Sequence, residues 1–379
     1  MKTNIKMIVN KIKKNTSYLV GIEREALRCD LSGALAGTMH PEEFGDKMEN
    51  KFITNDFGEA HIEIRTEPCE NPEACYESLY ELTSDVLTVL NKMDEYLWPY
   101  SMPCTNINAF KYNIFSGYKN EEDFERYLAN KYGIRRLLIS GIHFNLSISD
   151  ELLKILNETY SFIPKNKDDA YLRCMRGFLK VKEIFRYFFD ATPTDFDYNI
   201  LNDNSFRNGC NGYQSGLENN IDFTSKETYI KSIEKLIEEK KIAIVGELYI
   251  PIRAKGKLGY KTLADLKNGS INHIEVRLCD INPFDICGIT KESLNLATIF
   301  IFCCMVYGED VPKDAKKFLI ECEMINEEME LDLKLGISFA NSSINSNETL
   351  ASRIRKEFSK NNNLFFELAK EYSKKVKKL

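Results

Sequence analysis

At 379 residues, with 43% hydrophobic and 28% charged side chains, the chain has material for one large domain or two ordinary ones around an apolar core. Its 57 acidic and 51 basic residues leave a net charge of −6, which excludes general nucleic-acid binding but leaves room for a local basic site holding an anionic substrate. The 11 cysteines, odd in number and without a Cys-x-x-Cys pair, exclude a zinc site or disulfide scaffold and read as small buried hydrophobes of a reducing, cytoplasmic setting.

Met1 to Asn15 carries five lysines but no apolar run of signal-peptide length. Strands and loops are expected from Ser17 to Arg65. A helix is expected from Pro72 to Tyr96: Asn71 suits its cap and Pro72 its first position, and Tyr76, Leu79, Val86 and Leu90 recur at helical spacing. Helix and then strand follow over Glu121–Ser149, with a largely helical stretch to Asp190. Asn202 to Asn220 reads as an Asn/Gly-rich loop. Helix returns over Ser225–Lys241, then strands to Ile281, then an apolar helix from Thr290. Its run Ala297–Tyr307 is too short to span a bilayer, so no membrane role is expected. Beyond Gly308 the reading is a helix over Pro312–Lys334, a polar connector over Asn341–Asn347, and a charged helix from Leu350 to Leu379. No Walker-type phosphate loop and no long repeat occur.

One short pattern appears twice, as His61-Ile62-Glu63-Ile64-Arg65 and His273-Ile274-Glu275-Val276-Arg277. Side chains alternate faces along a strand, so the aliphatics would pack onto a core while His, Glu and Arg project from the opposite face. Gly21-Ile22-Glu23-Arg24-Glu25, Gly141-Ile142-His143-Phe144-Asn145 and Glu247-Leu248-Tyr249-Ile250 read the same way. These segments imply an antiparallel or mixed sheet covered on one side. Its open face would collect Glu23, Glu25, Glu63, Glu247 and Glu275 with His143, Arg65, Arg277 and Tyr249. Carboxylates so gathered raise one another's pKa, and divalent cations relieve that repulsion. Arginines beside them would clamp phosphate or carboxylate, giving a metal–phosphate site suited to phosphoryl transfer. Solvent-facing strands would show the same alternation one at a time; repeated Glu on several strands favours the site. His61 and His273 read as packed or hydrogen-bonded residues, and His143 as a ligand or a packed residue on even terms.

Six runs, in order, resemble the bacterial glutamate–cysteine ligase family: Gly21–Arg28, Ile53–Ala60, Leu97–Cys104, Ser140–Asn145, Glu247–Arg253 and Ile274–Phe284. The resemblance covers roughly residues 18 to 310 and implies an α+β, glutamine-synthetase-like fold: a curved, mainly antiparallel sheet with one polar active-site face and helices behind it. A catalytic domain is expected over residues 1–310, and the change in composition beyond it leads to the expectation of a C-terminal helical extension over 311–379, packed on it or trailing it. The implied reaction is ATP-dependent: the γ-carboxyl of glutamate is phosphorylated, and the amine of cysteine then displaces phosphate to give γ-glutamylcysteine, the first step of glutathione synthesis. Carried over by motif, Glu23, Glu25, Asp56, Glu63, His143 and Glu275 form the Mg2+ ligand set, with Mn2+ as an alternative. Glu275 and Arg277 are the catalytic pair, Arg277 stabilising the transferring phosphoryl group. Arg207, Tyr213 and Tyr249 bind substrate, and Leu128 and Ile139 belong to the cysteine pocket. Phe124 and Leu137 stand where the family has Tyr and Gln, which keeps open a ligase using another amine. A non-catalytic nucleotide-binding homologue is the remaining alternative. Glutamate, cysteine and ATP are the expected partners of a monomeric protein, although assembly is left open.

Overall fold

The computed structural model describes residues 18–30, 32–104, 119–195, 199, 201–210, 212, 215–258, 263–358, 367, 368, 370–372 and 374. Its strands are β1 (Tyr18–Cys29), β2 (Ile53–Asn55), β3 (His61–Arg65), β4 (Tyr96–Leu97), β5 (Ile142–Ile148), β6 (Ile252–Lys255) and β7 (His273–Cys279). They form one open, antiparallel sheet in the order β2-β3-β1-β5-β7-β6, with β4 added to the end of β1. The expected α+β class and one-sided alternation account for it. Cross-strand pairs such as Ala26 with Ile62, Ile22 with Phe144, and Phe144 with Val276 line the lower face in apolar rows.

The helices among the described residues are α1 (Pro72–Lys92), α2 (Lys119–Tyr132), α3 (Ile134–Leu137), α4 (Asp150–Thr159), α5 (Lys167–Phe189), α6 (Lys226–Glu238), α7 (Ala264–Asn268), α8 (Lys291–Tyr307), α9 (Ala315–Glu328), α10 (Lys334–Ser346) and α11 (Leu350–Phe358). The Asn71 side chain caps α1 by accepting from Ala74 N at 2.8 Å. That helix stops four residues before the expected Tyr96, because Asp94 turns with φ +54 and Tyr96 enters β4.

Under the sheet lies α8, buried on every side from Ser293 to Val306, with α1, α5, α9 and α10 packed around it. Apolarity all round marks it as a core helix, and no single described helix is long and apolar enough to cross a membrane. At Gly336 an added Cβ would strike the backbone of Asn295 and Leu296, so the glycine lets α10 approach α8 closely.

Three sequence expectations are corrected. Asn341–Asn347 is no connector: through Ser346 it completes α10, whose Ile337 and Ala340 are buried while Asn341, Ser342 and Asn345 face solvent, and Asn347 stops the helix in the left-handed region. Glu247–Ile250 is no strand: Val245–Glu247 is a 3₁₀ turn, and β6 begins only after Pro251. Nor is the upper sheet face left open throughout. Leu27 and Cys29, in step with Glu23 and Glu25, enter a second apolar cluster with Phe57, Trp98, Leu128 and Ile139. That cluster walls one end of the polar face and sinks the carboxylates below the surface.

Candidate active site

The register of the sheet brings the acidic residues together. β1 lies between β3 and β5, so Glu23 pairs with Arg65 on one side and His143 on the other, while Glu25 pairs with Glu63. Asn145 pairs across to Glu275, and Glu275 to Arg253 on β6. Between the pairs Phe144–Val276 and Ile142–Cys279, β7 carries one residue more than β5, a bulge that sets Arg277 and Leu278 opposite His143.

At the centre, Glu23, His143 and Glu275 each present one ligand atom within 4.8 Å of the others. His143 Nδ1 is 3.1 Å from Glu23 Oε2 and 3.8 Å from Glu275 Oε1. Its Nε2 lies 3.3 Å from Glu25 Oε1 and takes a hydrogen bond from Arg207 Nη2 at 3.0 Å. Glu63 pairs with Arg65 through Nε at 2.9 Å. Asp56, in the turn between β2 and β3, has its carboxylate 3.8 Å from His61 Nδ1. His61 is fully buried against Ser140 Oγ at 3.0 Å, a packed histidine. Of the six residues in the expected ligand set, Glu23, His143 and Glu275 thus form the core, with Glu25 on its flank. Glu63 and Asp56 stand further out, within electrostatic reach of Glu25.

The electrostatics divide these acids into two sets. Burial pushes Glu25 up to about 8, with Asp56 adding to the rise despite Arg207 and Arg277. Burial likewise pushes Glu63 up to about 7, helped by Glu23 and Asp56 against the opposing charge of Arg65. Glu23 and Glu275 go the other way: against their burial, the Lys255 ammonium holds Glu23 down to about 2 and keeps Glu275 well below the carboxylate range, where Arg277 and Arg253 also act. His143 is pushed down to about 4 by burial and by Arg277, so its imidazole is neutral. Asn145 Oδ1 is buried with no hydrogen bond, and Glu275 Oε1 is ion-paired with Lys255 Nζ at 2.8 Å. Oxygen donors, a neutral imidazole and acids held back from ionising fit a hard divalent cation.

Beside this acidic centre lies a net cationic pocket lined by Arg207, Arg277, Tyr249, Arg186 and Leu278, with Lys182 paired to Glu218 at 3.0 Å. Arg277 belongs to both: Nη1 is 3.1 Å from Glu275 Oε2, and the same side chain lines the pocket. Arg207 also reaches both, with Nη1 3.2 Å from Glu25 Oε2. Its guanidinium lies over Gly141, where any Cβ would collide with it. Asn208 anchors this loop by donating to Asp190 Oδ1 at 2.8 Å and to Leu278 O at 2.9 Å. Tyr213 lies outside the described residues. Leu128 and Ile139 are buried in the second apolar cluster with Leu137, and Phe124 packs against it.

Glu247, read from sequence as part of the acidic face, is elsewhere. It is fully buried, with Oε2 2.6 Å from Lys131 Nζ and 2.8 Å from the Tyr132 hydroxyl. Conversely, Lys255 and Arg253 stand at the site without having been among the expected site residues. Alternation along Ile252–Lys255 sets Arg253 and Lys255 on one face, facing Glu275, and was the signal available.

An open antiparallel sheet with buried acids converging beside an arginine-lined pocket defines the class, an α+β protein with one polar sheet face. The chain matches the family model described as glutamate-cysteine ligase over residues 6–200 and 239–324, and it belongs to that family. It is 31% identical over 376 residues to the glutamate–cysteine ligase of Clostridium acetobutylicum, an alignment spanning 83% of this chain and 76% of that one. It is 32% identical over 330 residues to the glutathione biosynthesis bifunctional protein GshAB of Clostridium perfringens, covering 80% of this chain but 42% of the relative, so the chain spans well under half the length of such bifunctional relatives. In fold it is similar to the crystal structure of glutamate–cysteine ligase from Francisella tularensis in complex with AMP: TM-score 0.82, 21% identity, 96% of this chain and 89% of that one.

Proposed function

We propose that this chain joins L-glutamate, through its γ-carboxyl, to L-cysteine at the expense of ATP, forming γ-glutamylcysteine in the cytoplasm as the first step of glutathione biosynthesis. The observation that carries the reading is Arg277, whose guanidinium spans the acidic centre and the cationic pocket. A divalent ion, Mg2+ or Mn2+, held by Glu23, His143 and Glu275 would neutralise the phosphates of the bound nucleotide. Glu25 on the flank of that position, with Glu63 and Asp56 further out, would complete the proposed ligand set.

In this reading Arg207 and Tyr249 hold glutamate in the pocket, Tyr213 being the further candidate, and aim its γ-carboxylate at the boundary that Arg277 marks. A γ-carboxylate oxygen attacks the terminal phosphorus of ATP, the bond to ADP breaks, and γ-glutamyl phosphate forms. Arg277 faces the charge that develops on the transferring group. The amine then attacks the acyl carbon and inorganic phosphate leaves. The attacking ammonium must first lose a proton, for which the carboxylates of the site are acceptors.

Phe124 and Leu137 support a second reading with another amine, since both are apolar and lie at the cluster holding Leu128 and Ile139. ADP formation from ATP, Mg2+ and glutamate, measured with a panel of amines, decides both. Glutamate-dependent turnover with preference for cysteine is expected. Preference for another amine would replace cysteine, and no glutamate-dependent turnover with any amine would overturn the ligase reading.

A further inference from the structure

Glu247 is a fully buried carboxylate that the chemistry above does not use, and its partners come almost entirely from one helix. Lys131 Nζ (2.6 Å) and the Tyr132 hydroxyl (2.8 Å), both from the last turn of α2, donate to Oε2, while Oε1 accepts Ala243 N at 2.7 Å. Lys131 also donates to Lys241 O at 3.0 Å. Two residues beyond Glu247 comes Tyr249, which lines the cationic pocket and meets the Tyr132 ring edge-on, centroids 5.6 Å apart. Half a helix away, Glu125 of α2 accepts Gly58 N at 2.9 Å, in the tight turn that carries Asp56. Phe124, Leu128 and Tyr132 recur at intervals of four and so share one face of α2. That face carries the apolar wall of Phe124 and Leu128. The last turn of α2 is thus tied to the Glu247 segment and its middle to the turn at Gly58.

We infer that Glu247 is a positioning residue: by clasping Lys131 and Tyr132 it holds α2 in place, and with it the apolar wall of Phe124 and Leu128 that receives the amine substrate. The choice of α2 as that wall rests on the ligase reading; the clasp itself rests on the contacts alone. A buried acid that receives an ammonium and a phenol from one helical turn ties down that turn strongly, because neutralising it takes the counter-charge from the ammonium and weakens both charge-assisted hydrogen bonds.

The full chain carrying Glu247→Gln, and separately Lys131→Met, tests it by two readouts. Lys131 is partly exposed, at 26%, so its replacement leaves the fold intact if the buried change does not. Hydrogen exchange followed by mass spectrometry should show the amides of α2 exchanging about ten-fold faster in both variants, since local opening is what the clasp opposes. With cysteine as the probe amine, its KM should rise about ten-fold, while the KM values for glutamate and ATP stay within about two-fold. Unchanged α2 exchange in both variants overturns the clasp whatever the activity, and an equal loss towards all three substrates overturns the positioning role. A wild-type chain without glutamate-dependent ATP turnover would instead overturn the ligase reading, and the exchange data would still decide the clasp.

Discussion

Arg277 Nη1 donates to Glu275 Oε2 at 3.1 Å, two residues along the same strand, and its side chain also lines the neighbouring pocket. Strand alternation places both on the upper face, and the bulge in β7 turns the arginine towards His143. The acid is thereby fixed to the centre while the guanidinium faces whatever fills the pocket.

Replacing that arginine should therefore strike the chemical step. Arg277→Lys keeps a positive charge but loses the planar fork. A fall in kcat of roughly 100-fold to 1000-fold is expected, the magnitude typical of losing one donor to a developing charge. ADP affinity, measured by calorimetry, should change little. Equal losses in kcat and nucleotide affinity would mean that Arg277 serves binding and not the transition state.

Glu275→Gln tests the centre in two ways. The carboxylate is fully buried among Lys255, Arg253 and Arg277, at 2.8, 3.7 and 3.1 Å. Removing its charge leaves three cations facing one another, and breaking a buried ion pair typically costs about 3–5 kcal/mol. Urea unfolding should register a loss of that order, and Mn2+ binding followed by electron paramagnetic resonance should weaken in parallel. Unaltered Mn2+ affinity would remove Glu275 from the ligand set.

Gly141→Ala reaches Arg207 without touching it directly in sequence. An added Cβ would lie 2.6 Å from Arg207 Nε, and the flexible guanidinium is what must move. The fold should survive with its melting temperature nearly unchanged, while the KM for glutamate rises about ten-fold, equivalent to about 1.4 kcal/mol. A normal glutamate KM would argue that Arg207 is not among its ligands.

Cys69 offers a pH-dependent readout away from the site. A hydrogen bond from the buried Cys75 thiol stabilises its thiolate and lowers it to about 7 despite partial burial. The thiolate is the reactive form, so alkylation should accelerate as pH rises through about 7. Cys75→Ala should move that midpoint up towards about 8.5, the ordinary thiol value. A midpoint indifferent to Cys75 would mean the two sulfurs do not interact in solution.

Much of this was legible in the chain because strand alternation is a strong two-residue signal. The repeated His-Ile-Glu pattern located β3 and β7, and the Gly-Ile-Glu and Gly-Ile-His runs located β1 and β5. Convergence of Glu23, His143 and Glu275 follows from those strands being neighbours. Glu247 misled because Glu-Leu-Tyr-Ile alternates in letters, whereas Pro251, lacking an N–H, confines regular pairing to the residues after it. α10 was hidden by its Asn- and Ser-rich exposed side, the buried side resting on Gly336, Ile337 and Ala340. Whether a polar face is open or walled depends on which distant segments cover it, and Trp98 and Leu128 reach Leu27 only through tertiary packing.

The most direct measurement is anomalous diffraction from crystals grown with Mn2+ and ADP. The expected result is a manganese peak within about 2.5 Å of oxygens from Glu23 and Glu275 and of the His143 ring, with the nucleotide phosphates on its far side towards Arg277. Manganese bound elsewhere, with these three side chains still held by Lys255 and the arginines in the presence of ADP, would contradict it.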